Sequence, residues 1–299
     1  MPPRLILNAD DFGLTPGVNR AIAELHQAGV LTSASLMATG AAFDEAVSLA
    51  HKNPGLGIGC HLVFVDGDAL SPPTTIPSLL PTNGSHFYAT PLAFASALWR
   101  GAIRPKHIEC EARAQIQALQ RAGLHVTHVD THKHLHSLPA VLKPILAAAH
   151  ACGVHALRRP FEPRWSSAQA HPTLTRRLQL IALTRFQPQF DALTPDFCKP
   201  AGTLGIAATG SLDAATLRAT LSALTRQPDD PTCELCCHPG HLDATLSQIT
   251  TRLRESREQE YAALKDVVPA FLGRNSAPQQ LRLIHYGDLS PTTGSAKAL

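Results

Sequence analysis

Three short segments of this 299-residue chain carry acids and histidines in patterns that could hold a metal ion and activate water. They are Asn8-Ala9-Asp10-Asp11-Phe12-Gly13, Gly59-Cys60-His61-Leu62, and Asp130-Thr131-His132-Lys133-His134-Leu135-His136. Two imidazoles and one carboxylate suit a divalent cation that keeps coordination positions free for water and substrate. Asp10 and Asp11 adjoin at the end of an apolar run, where successive side chains point to opposite sides of a strand. They are therefore expected to divide the work: one ligates the cation, and the other turns toward the bound water as a base. The competing reading is an Asp pair that caps the helix beginning near Pro16. The two histidine segments weigh against it.

In the third segment Asp130, His132, His134 and His136 alternate. An extended chain would place all four on one side, whereas a helix starting after His132 would put His132 and His136 one turn apart. In either case several imidazoles converge, which is costly unless a metal or polar cavity receives them. A solvated histidine-rich loop is the alternative. Arg158-Arg159-Pro160-Phe161 follows another apolar run, and an arginine there could orient a catalytic carboxylate by a charge-assisted bond. Which of the two arginines faces inward stays open, as does exposure of both. Cys233 to His241 resembles a zinc knuckle in composition, but no second pair stands at structural-zinc spacing. Cys233 and Cys236 are read as buried strand residues, and His238 as a general acid at the strand's end.

The elements that must position these groups follow from apolar periodicity. Strands are expected at Leu5 to Asn8, Ser33 to Ala38, Leu56 to His61, His125 to Val129, His155 to Leu157, Cys233 to Cys237 and Leu281 to His285. Helices are expected from Thr15-Pro16 to about Ala28 with Gly29 ending it, then near 41–52, 108–122, 140–151, 212–224 and 245–265. Such alternation predicts a parallel sheet. The fold class is α/β: a single-domain deformed (β/α) barrel, TIM-barrel-like, over residues 1–289, with the site at the C-terminal ends of the strands. Residues 290–299 are expected to form a disordered tail. Val65 to about Pro91 is rich in Pro, Ser, Thr and Gly and reads as a lid or substrate-binding insertion. The stretch from about 168 to 190 reads as mostly helical. With Arg176, Arg177 and Arg185 among apolar residues, it is either a surface helix packed on the barrel or an amphipathic face for lipid or anionic groups.

Composition excludes several classes. Hydrophobic residues make up 44% and charged residues 16%, enough for a core and too little charge for disorder. The net charge of +3 is spread along the chain, without the basic stripe of a nucleic-acid binder, so no nucleic-acid partner is expected. Seven cysteines and no secretory signal point to a reduced cytoplasm. No window reaches the apolar length of a transmembrane helix. Peripheral contact at the inner membrane face and homo-oligomerisation stay open.

Together, the Asn8 to Gly13 motif, Gly59-x-His61, Asp130-x-His-x-His-x-His136 and Cys237-His-Pro-Gly240 resemble the YdjC-like carbohydrate deacetylases over about residues 4 to 290. Within that family, Thr131 to His136 and Val30-Leu-Thr-Ser-Ala-Ser-Leu-Met37 are most similar to the hopanoid-biosynthesis branch (HpnK). The resemblance implies a deformed β/α barrel that holds one divalent metal ion, Mg2+ or Zn2+, and removes an acetyl group from an N-acetylated amino sugar. It makes Asp11, His61 and His132 the metal ligands, Asp10 the general base, His238 the general acid and Arg158 an orienting arginine. Asp130, His134 and His136 would support the ligands or touch substrate. The branch implies an N-acetylglucosaminyl hopanoid as substrate, giving a glucosaminyl lipid and acetate. Soluble N-acetylated chitooligosaccharides are the nearest alternative. A metal-dependent phosphoesterase and a binding protein without activity are more distant ones.

Overall fold

The apolar run at the N-terminus forms a longer strand than its composition suggests. β1 spans Arg4–Phe12, continues through both aspartates, and is buried from Leu5 onward. In the computed structural model, which describes residues 2–82, 84–170, 172–249, 251–273 and 280–289, this strand is the centre of the molecule. The tail 290–299 lies outside the described residues.

The first third follows the expected alternation. α1 (Pro16–Gln27) starts where Thr15 accepts a hydrogen bond from the Val18 N–H and Pro16 fills the first turn, and Gly29 at φ +68° turns the chain out of it. β2 (Ser33–Leu36), α2 (Phe43–Lys52) and β3 (Gly57–Leu62) come next. The segment after β3 is anchored to the body. Single bridges join Val65 to Tyr88 and Asp68 to His86, and Pro77–Leu79 makes a 3-10 turn. α3 (Pro91–Trp99), absent from the sequence reading, precedes α4 (Pro105–Arg121). From α4, the buried Glu111 accepts hydrogen bonds from the Leu70 and Ser71 N–H groups, and Gln115 accepts one from that of Val63.

β4 (Val126–Thr131) and α5 (Pro139–Ala151) match expectation. The strand expected at His155 to Leu157 does not form a ladder. Leu157 bridges Val129 and Ala156 bridges Cys198, one contact each. Pro160, which lacks an N–H, stops the pairing from propagating. The helical stretch resolves into α6 (Arg164–Ser167), α7 (Leu174–Thr184) and α8 (Gln187–Leu193). β5 (Thr203–Leu204) is too short to leave a sequence pattern. α9 (Ala214–Leu224) and β6 (Thr232–Cys237) follow. The helix expected over 245–265 is two: α10 (Ala244–Gln248) and α11 (Glu255–Val267). Ile249, a β-branched residue, is extended and ends α10. β7 (Arg282–Leu283) completes the set.

All ladders are parallel, in the order β4-β3-β2-β1-β6-β5, with β7 also against β1. The sheet curls, consistent with a deformed barrel. Isolated contacts span the interval between its ends: the 156–157 bridges, and the Thr203 N–H donating to the Phe161 carbonyl.

Strand alternation separates two environments. Leu5, Leu7 and Ala9 of β1, Ala34 and Leu36 of β2, Ile58, Cys60 and Leu62 of β3, and Leu235 of β6 belong to the main apolar core under the helices. The alternate residues face the inside of the curl, as a period of two requires. There Ile6 packs with Ala156, Cys198, Ile284 and Tyr286 as an apolar floor. Above it stand Asn8, Asp10, Ser35, His61, His128, Asp130 and Glu234, all buried. Tyr286, carried in by the C-terminal segment, stacks on His128 at 3.7 Å between ring centroids.

Gly59 leaves the space that His128 fills, since a Cβ there would lie 2.3 Å from the imidazole. Gly59→Ala should therefore lower unfolding free energy by about 1–3 kcal/mol through overpacking. Urea denaturation followed by circular dichroism measures this, and an unchanged midpoint would show that the stacked pair can move aside.

Candidate active site

Arg158 occupies the middle of the interior with its side chain fully buried. Its guanidinium donates to both carboxylate oxygens of Asp10 at 2.6 and 2.8 Å and to Glu234 at 2.6 Å, and lies 2.6 Å from Asp130. Arg159 points elsewhere, to Asp191 at 2.7 Å and the Ala201 carbonyl, which answers which arginine faces inward. Burial by itself would raise the pKa of Asp10, but the Arg158 charge outweighs it and holds the carboxyl far below its ordinary range. The same opposition, with His61 assisting Arg158, keeps Asp130 at about 2. For Glu234, burial wins and the pKa is raised, although Tyr286 donates its hydroxyl to this carboxylate at 2.6 Å and Thr203 at 3.0 Å.

Asp11 diverges from its neighbour because its backbone is left-handed, at φ 65°. One oxygen, Oδ2, accepts a hydrogen bond from Arg257 at 2.6 Å. The other, Oδ1, is buried without a hydrogen-bond partner. It lies 3.6 Å from His61 Nε2 and 3.4 Å from His132 Nδ1. The second ring nitrogen of His61, Nδ1, is 2.9 Å from Asp130 Oδ1. A carboxylate behind an imidazole fixes the ring and presents its far nitrogen, the usual support for a metal-ligating histidine.

Asp11, His61 and His132 bring ligand atoms within 4.8 Å of one another. Among the described residues two other groupings meet that distance, Asp10-Cys236-His238 and Asp10-His61-Asp130. Both depend on carboxylates already engaged by Arg158. The chemistry of the donors therefore singles out the first group: an orphaned carboxylate oxygen between two imidazole nitrogens fits a divalent cation, and Asp11, His61 and His132 are the residues that would hold it.

The remaining histidines correct the one-sided picture of the third segment. After β4 the chain enters a 3-10 turn over His132–Ser137, with left-handed backbone at Lys133 and His134. This breaks the alternation and sends the rings in different directions. His136 turns back to the Thr131 hydroxyl at 2.7 Å and the Arg158 carbonyl at 3.2 Å. It thereby holds the backbone of the central arginine. His134 is half-buried and its Nδ1 has no partner. His238, directly after β6, places Nε2 3.9 Å from Asp10 Oδ2, while its backbone N–H donates to Glu260 at 2.6 Å.

Arg257, Glu260 and Glu234 escaped the sequence reading. Arg257 and Glu260 stand three apart on α11, where opposite charges at that spacing ordinarily mark a solvated helix face. Here both are 1% exposed. Glu234 lies between cysteines and leucine in a strand read as apolar, and an acid inside such a run was the available signal.

Comparison with known proteins bears on the chain as a whole. Residues 4–271 match the family model described as YdjC-like protein. The carbohydrate deacetylase of Brevibacillus brevis is 32% identical over 286 residues, covering 96% of this chain and 99% of that protein. The carbohydrate deacetylase of Geobacillus stearothermophilus is 34% identical over 266 residues, covering 89% and 91%. Among solved structures, a candidate cellobiose-phosphate cleavage protein from Enterococcus faecalis superposes with a TM-score of 0.76 at 23% identity, covering 96% of this chain and 98% of that one, which is a likeness of fold.

The buried histidines make stability depend on pH in two directions. Burial holds His128 and His136 at about 3, so below the ordinary histidine value near 6.5 the unfolded chain binds protons that the folded chain refuses. Stability then falls from about pH 6.5 toward 3, by roughly 1.4 kcal/mol per pH unit for each histidine. His61 acts oppositely: against burial, Asp130 and Asp10 raise it to about 9, so its contribution is complete below about 6.5 and is lost as pH rises through about 9. Metal-free protein should be most stable near pH 6.5 in urea titrations across pH. A steady gain up to pH 9 would contradict this protonation pattern.

Proposed function

The chain belongs to the YdjC-like family, and from that premise we propose that it is a carbohydrate deacetylase: a hydrolase that removes the acetyl group from an N-acetylated amino sugar with one divalent cation. The observation that carries this reading is the pair of unlike aspartates. Asp11 has a free, buried oxygen between His61 and His132, while Asp10 is locked by Arg158 beside it.

The cation, when bound, would polarise the acetamide carbonyl and make water acidic enough to ionise near neutral pH. Asp10 is ionised at every working pH because Arg158 holds it so. It therefore serves as a fixed acceptor that orients the attacking water and takes its proton. Because Arg158 makes it a weak base, Asp10 relies on the cation, when bound, to acidify the water, while its fixed carboxylate needs no reorganisation during the reaction. His238, 3.9 Å from Asp10, protonates the leaving amine. Asp130 keeps the His61 ring in place, and Arg158 positions Asp10 and Asp130 together. These residues lie at or just beyond the C-terminal ends of β1, β3, β4 and β6, where parallel α/β folds carry their chemistry.

The substrate we favour is an N-acetylglucosaminyl hopanoid, on the likeness of Val30 to Met37 and Thr131 to His136 to that branch. Soluble chitooligosaccharides are the second reading, favoured by the relatives' name, which specifies carbohydrate and no lipid. The seven unpaired cysteines support a reducing, cytoplasmic location. Among the described residues, no helix is long and apolar enough to cross a membrane.

Acetate release should be measured from an N-acetylglucosaminyl hopanoid and from diacetylchitobiose, with metal-reconstituted wild type and Asp10→Asn. Asp10→Asn should retain the metal and lose activity by about 10²- to 10⁴-fold. Turnover of chitobiose alone would keep the chemistry and discard the hopanoid. No acetate from either substrate, or undiminished activity without Asp10, would overturn the mechanism.

A further inference from the structure

α7 rests on the body of the protein along one face only. None of its described side chains is buried, although it contains four leucines and an isoleucine. At 100° per residue, Leu174, Leu178 and Ile181 fall on one stripe. They are 73%, 58% and 56% exposed. Arg176, Leu180 and Leu183 share the opposite face, and Arg176 donates to the Ile206 carbonyl at 2.8 Å. The body is therefore on that side, and the apolar stripe faces away from it.

The stripe is bordered by cations. Arg185 falls within it at the C-terminal end and Arg177 lies along its flank, and both are exposed. Between Glu162 and Asp191 the chain has four arginines and no acidic residue. Long cationic side chains beside exposed leucines can lay their stems on an apolar layer and keep their charge among anionic groups at its edge.

We infer that α7 lies flat on an anionic phospholipid bilayer, with Leu174, Leu178 and Ile181 in the acyl boundary and Arg177 and Arg185 among the headgroups. Charge decides between this occupant and a second copy of the chain. A two-fold contact would bring α7 against α7 and set arginines against arginines, with no acid on the segment to relieve them. A bilayer carrying phosphatidylglycerol supplies the opposite charge over the whole length of the helix. The attachment would sit close to the proposed chemistry. α8 follows α7 directly, and its Phe190 packs against Phe161 at 5.4 Å and His136 at 6.3 Å between ring centroids. The inference does not depend on deacetylation, because binding is read without turnover.

Flotation with phosphatidylcholine vesicles, with and without phosphatidylglycerol, tests it on the full chain. Wild type should float with the anionic vesicles and not with the neutral ones, and should be released by salt. The double variant Leu178→Ser, Ile181→Ser should lose at least tenfold in partitioning, and Arg177→Gln about fivefold. Unchanged melting temperatures in both variants would exclude unfolding as the cause. Failure of wild type to float, equal binding by the double variant, or conversion of a wild-type dimer to monomer by the double variant without any vesicle binding would each overturn the inference.

Discussion

One buried cation governs the interior of this protein. Arg158 meets Asp10, Asp130 and Glu234 with its side chain wholly removed from water. Such a cluster holds only if each charge is compensated, because removing one partner of a buried pair costs about 3–5 kcal/mol. The three acids come from β1, β4 and β6, so one guanidinium ties three strands of the curled sheet together. The raised pKa of Glu234 lessens the negative excess, and Tyr286 and Thr203 keep its oxygens hydrogen-bonded. The functional groups inherit their positions from this arrangement. Asp130 holds His61, and Asp10 is left fixed and charged.

A second cation separates Asp11 from Asp10. Arg257 reaches from α11 to one oxygen of Asp11 and leaves the other open to the two imidazoles. From the same helix, Glu260 accepts the backbone N–H of His238. One helix thus braces both a proposed metal ligand and the proposed acid, although it contributes neither. Adjacent residues of identical type acquire different chemistry because each is held by a different arginine and because the backbone turns left-handed between them.

Much of this was legible in the sequence where the pattern is local. The βα order through β3, the start of α1 at Thr15, and the ends of α5 and β6 follow from apolar periodicity and punctuation. Asp10, Asp11, His61, His132 and His238 stand out because their types and spacing are unusual, and the structure brings them near one another. What was not legible depends on contacts far apart in the chain. No local signal distinguishes Arg158 from Arg159 until Asp10 and Asp191 are seen on opposite sides of them. Arg257 and Glu260 look like an ordinary exposed pair until α11 is packed against α9 and α1, where they reach Asp11 and His238. The left-handed residues at Lys133 and His134 overrode an alternation that fitted an extended strand, and the strand expected at His155 to Leu157 is reduced to single bridges just ahead of Pro160.

The placement of Tyr286 has a bearing on how the chain comes into being. Its ring lies on His128 and its hydroxyl on Glu234, so the floor and one wall of the charged interior are completed by a residue that is synthesised after every group they support. Domains of this size begin to organise while still being translated. Here the ribosome must deliver the chain through residue 286, and far enough beyond for it to leave the exit tunnel, before the Arg158 cluster can settle. A nascent chain that stalls earlier carries the ligands and the acids without their final enclosure. Assembly of the reactive centre is thereby tied to the emergence of the chain beyond residue 286.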